Sequence, residues 1–329
     1  MTVAEDDRVT AVAATYRAFA RQEARGRSAA YESLARAAAE DAAVAGFVAS
    51  LPPGKHQPNL LFAAARYLLG ALPGIDGLRE LVTGSRAELT EVMLTRRTQT
   101  NEPARCALLL PALAQLPEPL ALIEAGASAG LTLLFDRYSY DYGGHKLTGS
   151  DPDAPTLRCE PRGPVPLPRR IPAIAWRAGF DLNPLDVTRD DDVRWLSCLV
   201  WPGESDRAQR LAAAIASARR NPPAVRRGDM LTDLPALAAQ APADATLVVY
   251  HTSVLFYVAP DQRRQFASTV RGLGSVWLSN ESPGVVPGTA GPATGELADA
   301  PDEQLCVLTR DGRALAFSDS HGAWLHWRG

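Results

Sequence analysis

Lysine is almost absent from this chain: of its 34 basic residues, only Lys55 and Lys146 are lysines. The 37 acidic residues leave a formal net charge of −3. Duplex nucleic acid is bound by a clustered excess of Lys and Arg, so this near-neutral balance gives no reason to expect a nucleic-acid partner. We interpret the preference for arginine as a bias of the genome rather than as a binding surface.

Cysteine is scarce as well, and the four cysteines lie far apart without a C-x-x-C pair. Such scatter is typical of reduced, buried thiols in a cytosolic protein. The sequence does not start with a basic segment followed by an apolar one, and no apolar run is long enough to span a membrane. We therefore expect a cytoplasmic protein with no membrane partner. The absence of an H-E-x-x-H motif and of a Cys/His cluster predicts no metal.

The spacing of apolar residues divides the chain into two regions. From Val9 to about Gln115 they recur at helical spacing, which predicts a helical N-terminal cap region over residues 1–117. After Pro119, short β-branched runs alternate with helical segments. Strands that alternate with helices pair through right-handed crossovers, so residues 118–329 are predicted to form a Rossmann-like α/β domain with a mainly parallel sheet.

Several elements of the second region can be placed from the sequence. An Asp311-Gly312 dipeptide predicts a C-terminal antiparallel hairpin. Two stretches rich in Gly and Pro, at about 138–170 and 281–302, are predicted to be an insertion and a loop over the sheet edge. A helix is predicted at about 129–138, directly after the first strand. The predicted strands are Leu120–Glu124, Ile171–Asp181, Ala224–Arg227, Thr246–His251 and Ser275–Leu278.

The stretch EAGASAG (124–130) follows the first predicted strand and allows two interpretations. As G-x-S-x-G it matches the nucleophile elbow of a serine hydrolase, with Ser128 as nucleophile and His321 as a base late in the chain. As E-x-G-x-S-x-G it matches the turn of a nucleotide-type cofactor site, where the glycines allow a tight bend and the following helix offers free amides. No His-Gly-Gly segment lies upstream to complete an oxyanion hole, which favours the cofactor interpretation. A third hypothesis is a non-catalytic protein that binds a nucleotide-like ligand or another protein.

Two acidic residues follow later strands of the predicted sheet. Asp181 ends the second strand in AGFDLNP, where an acid typically holds ribose hydroxyls, and Asp229 follows the third strand in VRRGDML. Each acid could instead cap a turn or a helix. Their order along the chain, each at the carboxyl end of a strand, favours a cofactor site at this edge of the sheet.

The series E-x-G-x-S-x-G, G-F-D-L-N-P and R-G-D, with a terminal antiparallel pair, resembles the class I S-adenosylmethionine-dependent methyltransferases. More narrowly, QTNEPARC, EAGASAGLTLLFDRYSYDYGG, DLNPLDV and HGAWLHW resemble an uncharacterised bacterial family, a domain of unknown function with that Rossmann-like core. The resemblance implies S-adenosyl-L-methionine as cofactor, with Asp181 on the ribose and Asp229 on the adenine amino group. The methionine portion would be surrounded by Glu124, Gly126, Ser128 and Gly130. The usual turn carries glycine at the position of Ser128.

Methyl transfer from a sulfonium is an in-line displacement, in which an enzyme aligns a nucleophile and can remove its proton. The fourth strand delivers Tyr250 and His251 to the carboxyl edge, and Tyr250 is predicted to contact the substrate. His251 is the preferred general base, because imidazole titrates nearest to neutrality. A histidine that satisfies a local hydrogen bond is the alternative. Glu281, at the end of the fifth strand, is the second candidate catalytic residue, expected to orient the substrate, and helix capping is its alternative.

Three polar residues, Asn101, Glu102 and Arg105, lie at the start of the last helix before the sheet. Through QTNEPARC, the family resemblance implies that this helix roofs the pocket and that these residues contact the substrate. From the sequence alone, Asn101 is a helix cap and Glu102 and Arg105 form an exposed pair. We expect a methyltransferase that acts on a small molecule.

Overall fold

The computed structural model of the protein describes residues 3–289 and 305–328. The loop expected at 281–302 is described up to residue 289, where it forms turns, and its remainder lies outside the described residues. None of the helices in the described ranges is long and apolar enough to cross a lipid bilayer.

The chain forms two compact units. The first comprises Met1–Thr100 and Asp190–Gln209, and the second comprises Asn101–Arg189 and Arg210–Gly329. Residues 101–117, which the sequence assigns to the helical region, therefore belong to the unit that contains the sheet.

The first unit is built from helices, as the helical spacing predicts. Asp41 caps helix α3, and its side chain accepts hydrogen bonds from two free amides in the first turn of the helix. The helices of the described chain are α1 (Val3–Phe19), α2 (Ala29–Glu40), α3 (Ala42–Ala49), α4 (Pro58–Leu69), α5 (Ile75–Gly84), α6 (Arg86–Thr95), α7 (Arg105–Leu113), α8 (Asp190–Leu199), α9 (Ser205–Arg220), α10 (Leu234–Ala238) and α11 (Pro260–Gly272). Of these, α1 to α6 and α8 lie in the first unit.

A nine-stranded sheet dominates the second unit, in the order β5-β12-β11-β10-β9-β8-β1-β6-β7. A separate three-stranded sheet has the order β3-β2-β4. The strands are β1 (Leu120–Ala125), β2 (Ser139–Tyr142), β3 (His145–Leu147), β4 (Thr156–Arg158), β5 (Glu160–Arg162), β6 (Ile174–Asp181), β7 (Val225–Arg227), β8 (Thr246–Thr252), β9 (Val276–Glu281), β10 (Leu305–Arg310), β11 (Arg313–Asp319) and β12 (Trp324–Trp327).

The neighbours β7, β6, β1, β8 and β9 are all parallel. In chain order they are the third, second, first, fourth and fifth parallel strands, so the direction of winding reverses between β1 and β8. Open α/β sheets bind ligands at such a reversal, outside the carboxyl ends of the strands. The predicted α/β class with a mainly parallel sheet is confirmed. The terminal antiparallel hairpin is confirmed as β10 and β11, and β12 extends it.

The prediction of a helix at 129–138 is wrong. The chain forms a single 3-10 turn at Leu131–Leu133, and further turns lead to β2. The Tyr138 hydroxyl donates to Leu131 O at 2.7 Å. Arg177 Nη1 donates to Leu133 O at 3.0 Å. Because Tyr138 and Arg177, which is 44 residues from Leu133, take carbonyls that a helical ladder needs as acceptors, the segment does not continue as a helix.

The insertion predicted at 138–170 contains strands as well as turns. It contributes β2, β3 and β4 to the small sheet, and β5 joins the large sheet as the parallel neighbour of β12. These strands have only three or four residues, too few for a period-2 pattern to distinguish them from loop.

The two faces of the parallel strands have different surroundings. On one face, Ile123, Val249 and Trp277 form an apolar core with residues of α10 and α11, among them Phe266. Side chains alternate along a strand, so Glu124, the neighbour of Ile123, belongs to the opposite face. The functional candidates on the strands are therefore divided between two faces of one sheet.

Candidate functional site

Buried polar side chains gather at the carboxyl ends of β1, β8, β9 and β11. A buried polar group without a partner costs free energy, so such a concentration requires either full internal hydrogen bonding or a ligand. From the strands the group comprises Glu124, His251, Thr252, Asn280, Glu281, Ser318 and Asp319, and from the start of α7 it comprises Asn101, Glu102 and Arg105. The structure thus brings most of the sequence-predicted residues to one edge of the sheet.

The glycine-rich loop after β1 has three residues in the left-handed region, with φ of 74° at Gly126, 51° at Ser128 and 70° at Gly130. Ser128 therefore has the backbone conformation for which glycine is the ordinary residue. A Cβ on Gly126 would lie 2.6 Å from a methyl group of Val254, and one on Gly130 would lie 2.6 Å from a methyl group of Val225. Both glycines are required by conformation and by space.

We expect Gly126→Ala to lower the free energy of unfolding by about 2–3 kcal/mol, because alanine is strained at positive φ and its methyl group overlaps Val254. Urea unfolding followed by fluorescence measures the change. A Val254→Ala background removes the two methyl groups at 2.6 and 2.7 Å and leaves only the Cβ of residue 254 at 3.3 Å, so the same substitution should cost mainly the backbone strain. An equal cost in both backgrounds would contradict steric overlap as the cause.

The amides of the loop are largely used within the protein. Gly126 N–H and Ala127 N–H both donate to Phe180 O, at 2.9 and 3.1 Å. Ser128 N–H donates to Asp181 Oδ2 at 2.9 Å. These bonds bind the loop to the end of β6. No helix follows the loop, so the prediction that free helix amides bind a ligand here is wrong. The amides of Gly126, Ala127 and Ser128 hold the loop against β6 instead.

Asp181 and Asp229 lie beside each other at the ends of β6 and β7, where Gly228 N–H donates to Asp181 O at 3.0 Å. Asp181 Oδ1 also accepts from Asn183 N–H at 2.8 Å, and Asp229 Oδ1 accepts from Leu231 N–H at 2.9 Å. Both acids therefore stabilise turns, the alternative role considered for them, while both remain partly exposed to solvent.

Leu182, between Asp181 and these turns, is 56% exposed. A large exposed apolar side chain directly after Asp181, beyond the carboxyl end of β6, is a feature that the sequence patterns did not single out. Its only signal in the sequence is the leucine that follows the acid in D-L-N-P.

Glu124 lies at the end of β1 and is 2% exposed. Its carboxyl accepts from Thr132 Oγ1, and its Oε2 lies 3.4 Å from the Tyr250 hydroxyl, which donates to Thr132 O at 3.1 Å. Burial raises the pKa of Glu124 to about 8, although the bonds from Thr132 and Tyr250 oppose the shift. This favours the protonated, uncharged form of the carboxyl, and the positive charge of Arg105 opposes it. Thr132, which links the two predicted residues, was missed from the sequence.

His251 and Glu281 contact each other on the opposite face, and neither has any solvent exposure. His251 Nδ1 lies 2.7 Å from Glu281 Oε1, and His251 Nε2 lies 3.0 Å from Trp277 Nε1. An indole N–H can only donate, so Nε2 accepts and Nδ1 carries the proton that it donates to Glu281. Both ring nitrogens are engaged, which is the arrangement of a histidine that satisfies hydrogen bonds at a strand end. Trp277 was not anticipated as its partner.

Glu281 also anchors the segment after β8. Its Oε1 accepts from Val254 N–H at 2.8 Å and from Leu255 N–H at 3.1 Å. This is the segment that places Val254 against Gly126. Glu281 therefore positions the loop after β8 over the loop after β1.

The residues at the start of α7 form a second set of links. Asn101 Oδ1 accepts from Leu131 N–H at 2.8 Å, and Glu102 Oε1 accepts from Arg210 Nε at 2.7 Å. Arg105 is 7% exposed and donates to Ser320 O at 2.9 Å. Arg105 is therefore buried in the site rather than part of an exposed pair.

Across the described ranges, no group of three or more His, Cys, Asp or Glu side chains is arranged to hold a metal ion. No curated protein and no solved structure is significantly similar to the chain. One bacterial family matches it over residues 13–327, in accord with the resemblance to a bacterial domain of unknown function. The protein belongs to this family, which is described as an uncharacterized protein conserved in bacteria (DUF2332).

Proposed function

We propose that the protein binds S-adenosyl-L-methionine at the carboxyl edge of its sheet and transfers the methyl group to a small molecule. The observation that carries the proposal is the exposed Leu182 next to Asp181, at the end of the strand beside β1. A nucleoside offers hydroxyls for a carboxylate and a flat apolar ring for a leucine side chain. The winding reversal between β1 and β8 supports the same edge as the ligand site.

The residues at this edge suit the parts of such a cofactor. Asp181 would accept from the ribose hydroxyls, Leu182 would pack on the adenine, and Asp229 would contact the adenine amino group. When bound, the cofactor supplies an electrophilic methyl group on a sulfonium. The loop from Gly126 to Gly130 limits where the methionine portion can lie, because its amides are held by β6.

His251 and Glu281 receive a positioning role in this proposal. Neither nitrogen of His251 has a lone pair available in this arrangement, so we assign it no proton-transfer step. The pair instead holds the segment around Val254 in place. Alignment of the acceptor with the methyl group, rather than proton removal, is the larger contribution of an enzyme to an in-line displacement.

A serine hydrolase is the second candidate, because φ of 51° at Ser128 is also the strained conformation of a nucleophile elbow. Two observations favour the cofactor site over it. Ser128 is buried, and no helix follows it to complete the strand–turn–helix of an elbow. A fluorophosphonate probe that labels Ser128 would support the hydrolase.

Thermal unfolding with S-adenosylmethionine and S-adenosylhomocysteine tests the proposal. A ligand present at about 100 times its Kd stabilises the folded state by roughly 2.7 kcal/mol, which raises the Tm measurably. We expect both compounds to raise the Tm of the wild type. We expect Leu182→Asp to weaken binding roughly tenfold or more, because it places a charge against the adenine.

Leu69→Asp is the matched control, because Leu69 is 51% exposed and lies on a helix of the first unit. It should leave the ligand-induced shift unchanged. If neither compound raises the Tm of the wild type, the protein does not bind this cofactor and the proposal is wrong. Binding without turnover of any acceptor would favour the non-catalytic hypothesis.

A further inference from the structure

Arg105 is a buried cation whose hydrogen bonds all go to uncharged acceptors. Its Nε donates to Ser320 O at 2.9 Å, and its Nη1 donates to Thr252 O at 3.3 Å and to Thr252 Oγ1 at 3.4 Å. Within residues 3–289 and 305–328, no carboxylate forms an ion pair with it. A guanidinium withdrawn from water is costly unless a negative charge compensates it. Glu124 lies near enough for the charge of Arg105 to oppose the burial that raises the pKa of its carboxyl, but the oxygens of that carboxyl bond to Thr132 and Tyr250 rather than to the guanidinium.

The position of the guanidinium follows from its partners. Thr252 ends β8, and Ser320 directly follows β11, while β9 and β10 lie between these strands in the sheet. Arg105 therefore crosses the carboxyl end of β9. Cys306, the second residue of β10, is close enough for the charge of Arg105 to act on the pKa of its thiol. Burial raises the pKa of that thiol to about 12, and the positive charge of Arg105 opposes part of the shift.

A buried donor without a partner lies on the same face. Asn280 has no solvent exposure, and its Oδ1 accepts from Ser318 Oγ at 2.8 Å. Its Nδ2, in contrast, has no acceptor in the described part of the chain. Asn280 is the partner of Thr252 in the parallel register of β9 and β8, so both side chains lie on the face over which Arg105 passes. A buried donor left without an acceptor costs about 1–3 kcal/mol.

We propose that Arg105 and Asn280 form a carboxylate-binding subsite of the proposed cofactor site. The inference rests on the proposed function for the identity of the ligand. Two donors, one of them charged, select an anion, and a guanidinium is well suited to a carboxylate. The amides of the loop after β1 are held by β6 and offer little to an anion there, so these two side chains supply the donors. The carboxylate belongs to the methionine portion of the cofactor or to the acceptor molecule.

Three probes separate these sources: S-adenosylhomocysteine, 5′-methylthioadenosine, which lacks the amino-acid portion, and malonate, which needs no adenine site. Calorimetry and thermal unfolding measure binding to the wild type and to Arg105→Met. If the cofactor provides the carboxylate, Arg105→Met weakens S-adenosylhomocysteine roughly tenfold or more and leaves 5′-methylthioadenosine unchanged. If the acceptor provides it, Arg105→Met leaves both nucleosides unchanged and abolishes malonate binding in the presence of S-adenosylhomocysteine.

Three further variants guard against a simple loss of fold. Asn280→Asp keeps the acceptor for Ser318 and places a carboxylate beside Arg105, so the Tm without ligand should hold or rise while malonate no longer binds. Arg264→Met removes an exposed arginine of the same unit and should change none of the affinities. Arg105→Lys keeps the charge and should retain part of the binding.

The subsite is overturned if Arg105→Met and Asn280→Asp, both folded, bind all three probes as the wild type does. It is also overturned if none of the probes binds to the wild type. Failure of the cofactor proposal gives a different result: neither nucleoside binds to the wild type, while malonate still binds and depends on Arg105.

Discussion

Replacement of Glu281 by leucine should lower the free energy of unfolding by about 3–5 kcal/mol, because it leaves three donors without an acceptor, two of them buried. Glu281 Oε1 accepts from His251 Nδ1 and from the amides of Val254 and Leu255. His251 is completely buried and the Leu255 amide is buried, so water cannot replace the carboxylate at these two donors. Urea unfolding followed by tryptophan fluorescence measures the loss.

The matched control is Glu160→Leu, the same substitution in β5 of the same sheet. Glu160 is exposed and pairs with Arg162 at 2.9 Å, a surface contact whose loss should change stability far less than the loss of Glu281. Glu281→Gln keeps an oxygen for the three donors and should cost less than Glu281→Leu. Equal losses for Glu160→Leu and Glu281→Leu would show that the buried carboxylate does not organise the edge.

The parallel core could be predicted because its signals are local. Short β-branched runs indicate β1, β6, β8 and β9, and the helices between them require crossovers, which makes the strands parallel. The turn of the terminal hairpin was equally visible. Asp311 and Gly312 have φ of 56° and 82°, the left-handed pair that a two-residue hairpin requires and that Asp-Gly adopts readily.

The segment after β1 could not be predicted, because its structure depends on side-chain hydrogen bonds to its carbonyls. The pattern of residues 129–138 suits a helix, but Tyr138 and Arg177 take carbonyls of the turn at Leu131–Leu133. The pairing of β5 with β12 could not be predicted either, because it joins the insertion to the last strand of the chain. The local sequence pattern indicates none of these contacts.

The sequence predicts which residues lie at the carboxyl edge of the sheet, but not the hydrogen bonds that those residues form. The carboxyl ends of parallel strands share one edge, and therefore Glu124, Asp181 and His251 could be brought together from the sequence. The face on which each side chain lies depends on the register of neighbouring strands. That register pairs Val249 with Trp277, whose indole reaches Nε2 of His251. The hydrogen bonds of His251 are thus a tertiary property.

The second large effect is a pH dependence that Glu124 imposes on stability. In the folded state burial raises its pKa from 4.5 to about 8. Below about pH 4.5 both the folded and the unfolded chain carry the proton, and stability is full. Between pH 4.5 and about pH 8 only the folded state retains the proton, so the free energy of unfolding falls by about 1.4 kcal/mol per pH unit as the pH rises. Above the folded pKa both states are ionised and the decrease ends.

Glu124→Gln removes the titration while keeping the contacts, because the amide oxygen can accept from Thr132 and the amide nitrogen can donate to the Tyr250 hydroxyl. We therefore expect wild type and variant to diverge between pH 5 and pH 8, the wild type losing roughly 3–4 kcal/mol relative to the variant. Denaturant unfolding at several pH values measures the difference. Glu118→Gln is the control, since the bond from Ala173 N–H lowers the pKa of Glu118 and its contribution changes only at more acidic pH. Parallel stability curves for wild type and Glu124→Gln would mean that Glu124 is ionised in the folded protein, and Arg105 would then have a negative charge nearby without any ligand.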